Sequence, residues 1–173
     1  MSEKFLCLMA TFDEKSSKKI NDLMEKIKET GIQGKQTPDL PPHITLASFD
    51  RSRESEVLER IQQVAAETDS FQLPFNHIGL FGLKVLFLAP DVNHELLDLH
   101  SQFDGLSLKS DRGWTAHATV LIDEPDPIQR ALPLIAQEFK HINARVEALR
   151  LYEFFPTRLI GEFELKKSHP WKE

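Results

Sequence analysis

Short extended apolar runs alternate with stretches of helical apolar spacing along this whole chain, and that switching of period restricts it to folds mixing sheet and helix. "KFLCLMA" reads as a strand, after which Ile20, Leu23, Met24 and Ile27 recur on one helical face until Gly31 supplies a stop. "HITLASF" is the next strand. Ser52 is placed to cap a second helix, with Glu54 and Glu56 near its positive end and Val57, Leu58, Ile61, Val64 and Ala65 on its buried side. "FQLPFNHIGLFG" and "KVLFLAP" follow as extended segments around a Gly-containing turn. Asp91 is expected to cap a third helix carrying Val92, Leu96, Leu99 and Phe103, closed by Gly105. In "EPDPIQRALPLIAQEF" Pro133 predicts a helix that is short, irregular or begun at that proline. "RVEALRLYEFF" and "RLIGEFELK" close the chain as an antiparallel pair. The sum is an α+β fold, and 173 residues with no Gly/Ser linker make one domain, 1–173.

Two strands share an unusual beginning. "HITL" at 43–46 and "HATV" at 117–120 both start on histidine and place threonine two residues on. Alternate side chains of a strand share a face, so His43 and Thr45 point one way while Ile44 and Leu46 point the other. His117 and Thr119 repeat the arrangement against Ala118 and Val120. Each half of the chain also places a helix before its His-x-Thr strand, which suits a duplicated lobe about a pseudo-two-fold axis. If the strands meet across a groove, two imidazoles and two hydroxyls converge. One neutral imidazole then takes a proton from an attacking oxygen, a protonated one donates to the leaving oxygen, and the hydroxyls bind non-bridging phosphate oxygens.

The paired motifs and the strands around them resemble the 2H phosphoesterase superfamily, in its 2'-5' RNA ligase-like and cyclic phosphodiesterase branch. "KFLCLMATF", "PPHITLASF", "KVLFLAP" and "ALRLYEFFPTRLIGEFEL" are similar to its opening, first-motif, middle and closing strands. The resemblance implies two intertwined lobes whose antiparallel sheets line a central cleft, with helices on the outer faces. It also implies metal-independent opening of 2',3'-cyclic phosphates at RNA ends or on nucleotides, reversible as an ATP-independent 2'-5' ligation. His43 and His117 would be the catalytic pair, with no metal ligand and no cofactor, and Thr45 and Thr119 would bind phosphate. By analogy His117 is the base toward water and His43 the acid. The second motif departs from the usual pattern in lacking a preceding proline, since "WTAH" stands there.

Among supporting residues, Arg112, Lys84 and Arg158 are candidates for a phosphate-binding cation, and Tyr152, Phe12 and Trp114 for stacking on a base. The expected partner is an RNA end or a cyclic nucleotide bound by a monomer. Two other readings share the cleft: a module that binds phosphate or an RNA end without turnover, and a phosphodiesterase acting on a small non-RNA metabolite. A net charge of −6 argues against coating nucleic acid non-specifically. Cys7 is the only cysteine, which excludes an internal disulfide, and it lies in an apolar strand where a thiol is inert packing. The opening apolar run is far too short to span a bilayer, so no membrane partner is expected and a reducing cytoplasm is the expected location. "HELLDLH", 94–100, places Asp98 where a zinc-protease helix needs its second histidine, and reads as an exposed helix with two solvated histidines. His77, His141 and His169 are read as structural or surface residues. No G-x-x-x-x-G-K-[ST] loop is present.

Overall fold

The computed structural model describes residues 3–167. Its elements follow in the order β1 (Phe5–Phe12), α1 (Glu14–Glu29), β2 (His43–Asp50), α2 (Glu54–Glu67), β3 (Phe71–Phe81), β4 (Val85–Pro90), α3 (His94–Ser101), β5 (Ala118–Ile122), α4 (Pro125–Glu138), β6 (Ile142–Phe154) and β7 (Arg158–Glu164). All strand pairings between these elements are antiparallel, in the order β2-β1-β6-β3-β4-β5, with β7 also on β6. The α+β class expected from the sequence is the one found.

β6 is the hub. Ile142–Val146 pair with β3, whereas Ala148–Glu153 pair with β7, and β1 runs along the opposite side from Val146 to Phe154. The sheet therefore contains two four-stranded halves, β2-β1-β6-β7 and β5-β4-β3-β6. Each half ends in one of the His-x-Thr strands, and the halves share one long strand instead of forming two separate sheets.

β1 reads as a continuous apolar run because both of its faces are covered. Leu6, Leu8 and Ala10 join the main core under the helices, which also takes Ile44, Leu46, Leu149 and Leu151. Cys7 and Met9 point to the other face, where they pack with Tyr152 and Phe154. α1 leaves the first half and packs on β5, β6 and α4, while α2 covers β2, β6 and β7. A helix-covered face and a cleft-side face follow directly from strand alternation.

Three expected helix boundaries are corrected. Ser52 caps nothing: Asp50 Oδ1 accepts from its backbone N–H at 2.8 Å and its hydroxyl at 2.6 Å, and α2 starts at Glu54 after a tight turn. Asp91 is occupied by the side chains of Asn76 at 2.5 Å and His77 at 3.2 Å. Asn93 takes the cap of α3 instead, accepting from the Leu96 N–H at 3.0 Å, and α3 ends at Ser101 before Phe103 and Gly105. α4 continues through Pro133, which lies on its exposed side, because Ile128, Ala131 and Ile135 anchor the opposite stripe in the core.

Candidate active site

The two motif strands occupy opposite edges of the sheet order, yet curvature brings the edges together: Cα atoms of β2 and β5 approach within 8 Å. His43 opens β2, and His117 sits one residue before β5. Both rings are half-buried and held by the same local device. His43 Nδ1 lies 2.8 Å from the Pro41 carbonyl oxygen, and His117 Nδ1 lies 2.7 Å from that of Thr115, each two residues back. A carbonyl only accepts, so Nδ1–H is the donor in both rings and Nε2 of each is left for another partner. Burial pushes the His43 imidazole below the ordinary histidine value; the Pro41 carbonyl opposes this, and the nearby charge of His117 lowers it further. The mutual influence of the rings agrees with a shared cleft.

Thr45 follows His43 on the cleft side. Its Oγ1 lies 3.9 Å from the Cys7 Sγ, whose thiol is pushed up to about 11 by burial and stays protonated. The S–H can donate to the threonine oxygen, which leaves the threonine O–H free to donate outward. Thr119 pairs across β4 with Phe87 and lines a cavity together with His43.

Several site residues escaped the sequence reading. Phe81 and Phe87 wall the His117 ring, with centroids at 4.7 and 5.2 Å, and stand 4.5 Å from each other. Phe87 fits only because Gly79 faces it: a Cβ there would stand 2.4 Å from the Phe87 ring. Period-two spacing puts Gly79 and Phe81 on one face, but nothing in the sequence announces the facing partner.

The segment that delivers His117 also grips β2. Trp114 Nε1–H donates to the Thr45 carbonyl at 2.9 Å, and His100 Nδ1 lies 2.9 Å from the Leu46 carbonyl. The Leu108 N–H donates to the Ser48 carbonyl at 2.7 Å. The Trp114 and His100 rings stack with centroids 3.8 Å apart and planes 7° from parallel. These donors cover an edge strand that would otherwise present unpaired carbonyls. The expectation of two solvated histidines in α3 is corrected for His100, which is committed to this clasp; His94 is exposed.

The loop at 33–42 bridges β5 to β2. Lys35 N–H donates to the Ile122 carbonyl at 2.6 Å, and Ile122 N–H donates to Gln36 Oε1 at 3.1 Å. Beneath it lies a cavity of about 170 Å³, lined on its apolar side by Met9, Met24, Leu40 and Phe154 and bordered by Gln36, Thr37, His43 and Thr119.

The cation candidates separate. Lys84 pairs with Glu124, which Lys35 also contacts at 2.7 Å, and the two ammonium groups draw the exposed Glu124 carboxyl down to about 2. Arg158 lies 3.4 Å from the buried Glu153, to which Arg51 also pairs at 2.5 Å. Arg112 is exposed on the segment before His117, and its guanidinium has no partner among the described residues. Tyr152 is 7 % exposed and packs with Cys7, Met9 and Phe154, which leaves it little face to offer a base. Phe12 is buried edge-on to Phe75. His77 and His141 lie at the surface against Asp91 and Asn76, and His169 lies outside the described residues. Among the described residues no group of three His, Cys, Asp or Glu side chains is placed to hold a metal ion, and no helix is long and apolar enough to cross a membrane.

A family model described as the 2'-5' RNA ligase superfamily matches residues 13–154. No curated protein matches the chain. Similar solved structures include TT0787 of Thermus thermophilus, at 16 % identity and TM-score 0.67, covering 95 % of this chain and 100 % of that one. Another is a phosphoesterase, at 16 % identity and TM-score 0.65, covering 96 % and 100 %. E. coli LigT complexed with 3'-AMP is similar at 14 % identity and TM-score 0.64, covering 95 % and 99 %. At these identities the likeness is one of fold.

Proposed function

The chain belongs to the 2'-5' RNA ligase superfamily, and from that premise we propose that it is a phosphodiesterase that opens 2',3'-cyclic phosphates at RNA ends or on nucleotides. One observation carries the reading: His43 and His117 each tie Nδ1 to a carbonyl two residues back and keep Nε2 for a cleft where β2 and β5 meet. That is the pair of proton-transfer groups an in-line displacement at phosphorus requires.

In the proposed step a water oxygen attacks phosphorus as His43 Nε2 removes its proton. The bond from phosphorus to one ribose oxygen breaks, and His117 Nε2–H protonates that oxygen. A phosphomonoester results, with His43 charged and His117 neutral until solvent exchange restores both. This reverses the order of roles read from the sequence by analogy. Burial favours the neutral form of His43, which is the base form. The hydroxyls of Thr45 and Thr119 donate to the non-bridging oxygens as negative charge builds there. Arg112 is the cation proposed to meet substrate phosphate, since Lys84 and Arg158 are engaged in ion pairs. That LigT holds 3'-AMP, a nucleotide monophosphate, supports a product of this class. Ligation is the same chemistry run backwards, with a ribose hydroxyl in place of water.

The test is hydrolysis of a 2',3'-cyclic nucleotide with EDTA present. Replacing either histidine by alanine is expected to lower kcat about 10²–10⁴-fold. Full activity in both single variants defeats the assignment of the two histidines to proton transfer, and no turnover by the unaltered protein defeats the reading in favour of a binding module.

A further inference from the structure

The cavity beside His43 has a size and a polarity of its own. At about 170 Å³ it is close to the roughly 150 Å³ apolar cavity that holds one benzene ring. Met9, Met24, Leu40 and Phe154 supply its apolar lining, and such sites bind through apolar contact with a few placed polar groups that set orientation. His43 and Thr119 are among its lining residues, so a ring seated there lies beside the proposed phosphate site.

Gln36 is the polar group that discriminates. The Ile122 N–H donates to Gln36 Oε1 at 3.1 Å, which fixes which end of the amide is oxygen. Gly34, at φ +78°, lies so close that a Cβ on it would stand 2.2 Å from Gln36 Oε1. The amide is thus pinned, with one lone pair of its oxygen taken by β5. Its Nε2 is a donor with no partner among the described residues and is available to a ligand.

We propose that this cavity is a subsite for a single six-membered heterocycle carrying a carbonyl oxygen at its edge, a pyrimidine base, and that Gln36 Nε2 donates to that oxygen as a specificity-determining contact. The inference rests on the hydrolase reading above, since it assigns the base of that substrate. An amide N–H aimed at the ring favours an edge acceptor and disfavours another donor at that position. The polarizable thioethers of Met9 and Met24 suit contact with such a ring.

The experiment compares 2',3'-cyclic CMP with the base-free ribose 2',3'-cyclic phosphate, in the unaltered protein and in Gln36→Glu. A carboxylate at position 36 still accepts from the Ile122 N–H but can no longer donate to the ligand. The unaltered protein is expected to prefer cyclic CMP by about tenfold or more in kcat/KM, mainly through KM, and the variant to lose most of that preference while keeping its Tm. In parallel, binding of cytidine 3'-monophosphate is measured against ribose 3-phosphate by calorimetry. A base-dependent affinity that falls in Gln36→Glu supports the subsite even where no turnover occurs, which separates its fate from that of the hydrolase reading. Equal binding of the two phosphates by the unaltered protein, or a preference unchanged by the substitution, overturns it.

Discussion

At the scale of single residues, the chemistry proposed for the cleft depends on keeping His43 neutral, and the same requirement makes folding stability depend on pH. Burial and the neighbouring His117 charge lower its pKa in the folded protein, whereas the unfolded chain restores the ordinary value of about 6.5. Below that value the unfolded state binds the additional proton, so stability falls with pH. The contribution is therefore fully present above about pH 6.5 and is lost as pH falls through the folded-state value. Urea midpoints followed from pH 8 to pH 5 should decline less steeply in His43→Gln than in the unaltered protein. Parallel curves would mean that the ring is not desolvated. In kcat/KM the acid limb should lie below the ordinary histidine value, although the two apparent constants belong to the interacting pair.

At the scale of elements, the site is an agreement between two edge strands, and the clasp of Trp114 and His100 enforces it. Trp114 stands three residues before His117 and donates to the carbonyl of Thr45, so one side chain ties the approach to the second motif to the backbone of the first. Trp114→Phe keeps a ring to stack on His100 but leaves that carbonyl without its donor, at a cost of about 1–3 kcal/mol. Thermal unfolding should show the loss, and kcat should fall with KM nearly unchanged, because the spacing of the imidazoles moves while the ring cavity stays. A fall in Tm with kcat intact would reduce the clasp to an edge cover. This level also shows how much the sequence disclosed. Strand positions and the shared face of His43 with Thr45 were legible because period-two alternation is local, and the helical stripes of α1 and α2 were legible for the same reason. The clasp, the fit of Phe87 over Gly79 and the bond between Gln36 and Ile122 were not. Each joins segments whose register is set by the three-dimensional path of the sheet. Pro133 misled because propensity is weighed per residue, whereas the buried stripe of α4 acts along its whole length.

At the scale of the whole molecule, the shared strand decides whether the halves are separable. Leu149 on β6 is fully buried, faces Ala10 of β1 on one side and Phe163 of β7 on the other, and belongs to the same core as Ala144 and Val146 in the stretch that reaches β3. A strand that contributes hydrogen bonds to both halves cannot leave one without fraying the other, and α1 and α2 each cross onto β6 as well. The protein should accordingly unfold as one cooperative unit, with the two lobes forming a single domain. Cys7 offers a probe inside the first half, since its buried thiol becomes reactive only when β1 is released. Denaturant midpoints from thiol labelling and from far-UV circular dichroism should coincide, and Leu149→Ala should lower both together through a loss of about 2–5 kcal/mol of unfolding free energy. If labelling of Cys7 preceded the loss of circular dichroism, the halves would be independent lobes, and the closeness of the two histidines would then depend on their docking instead of on β6.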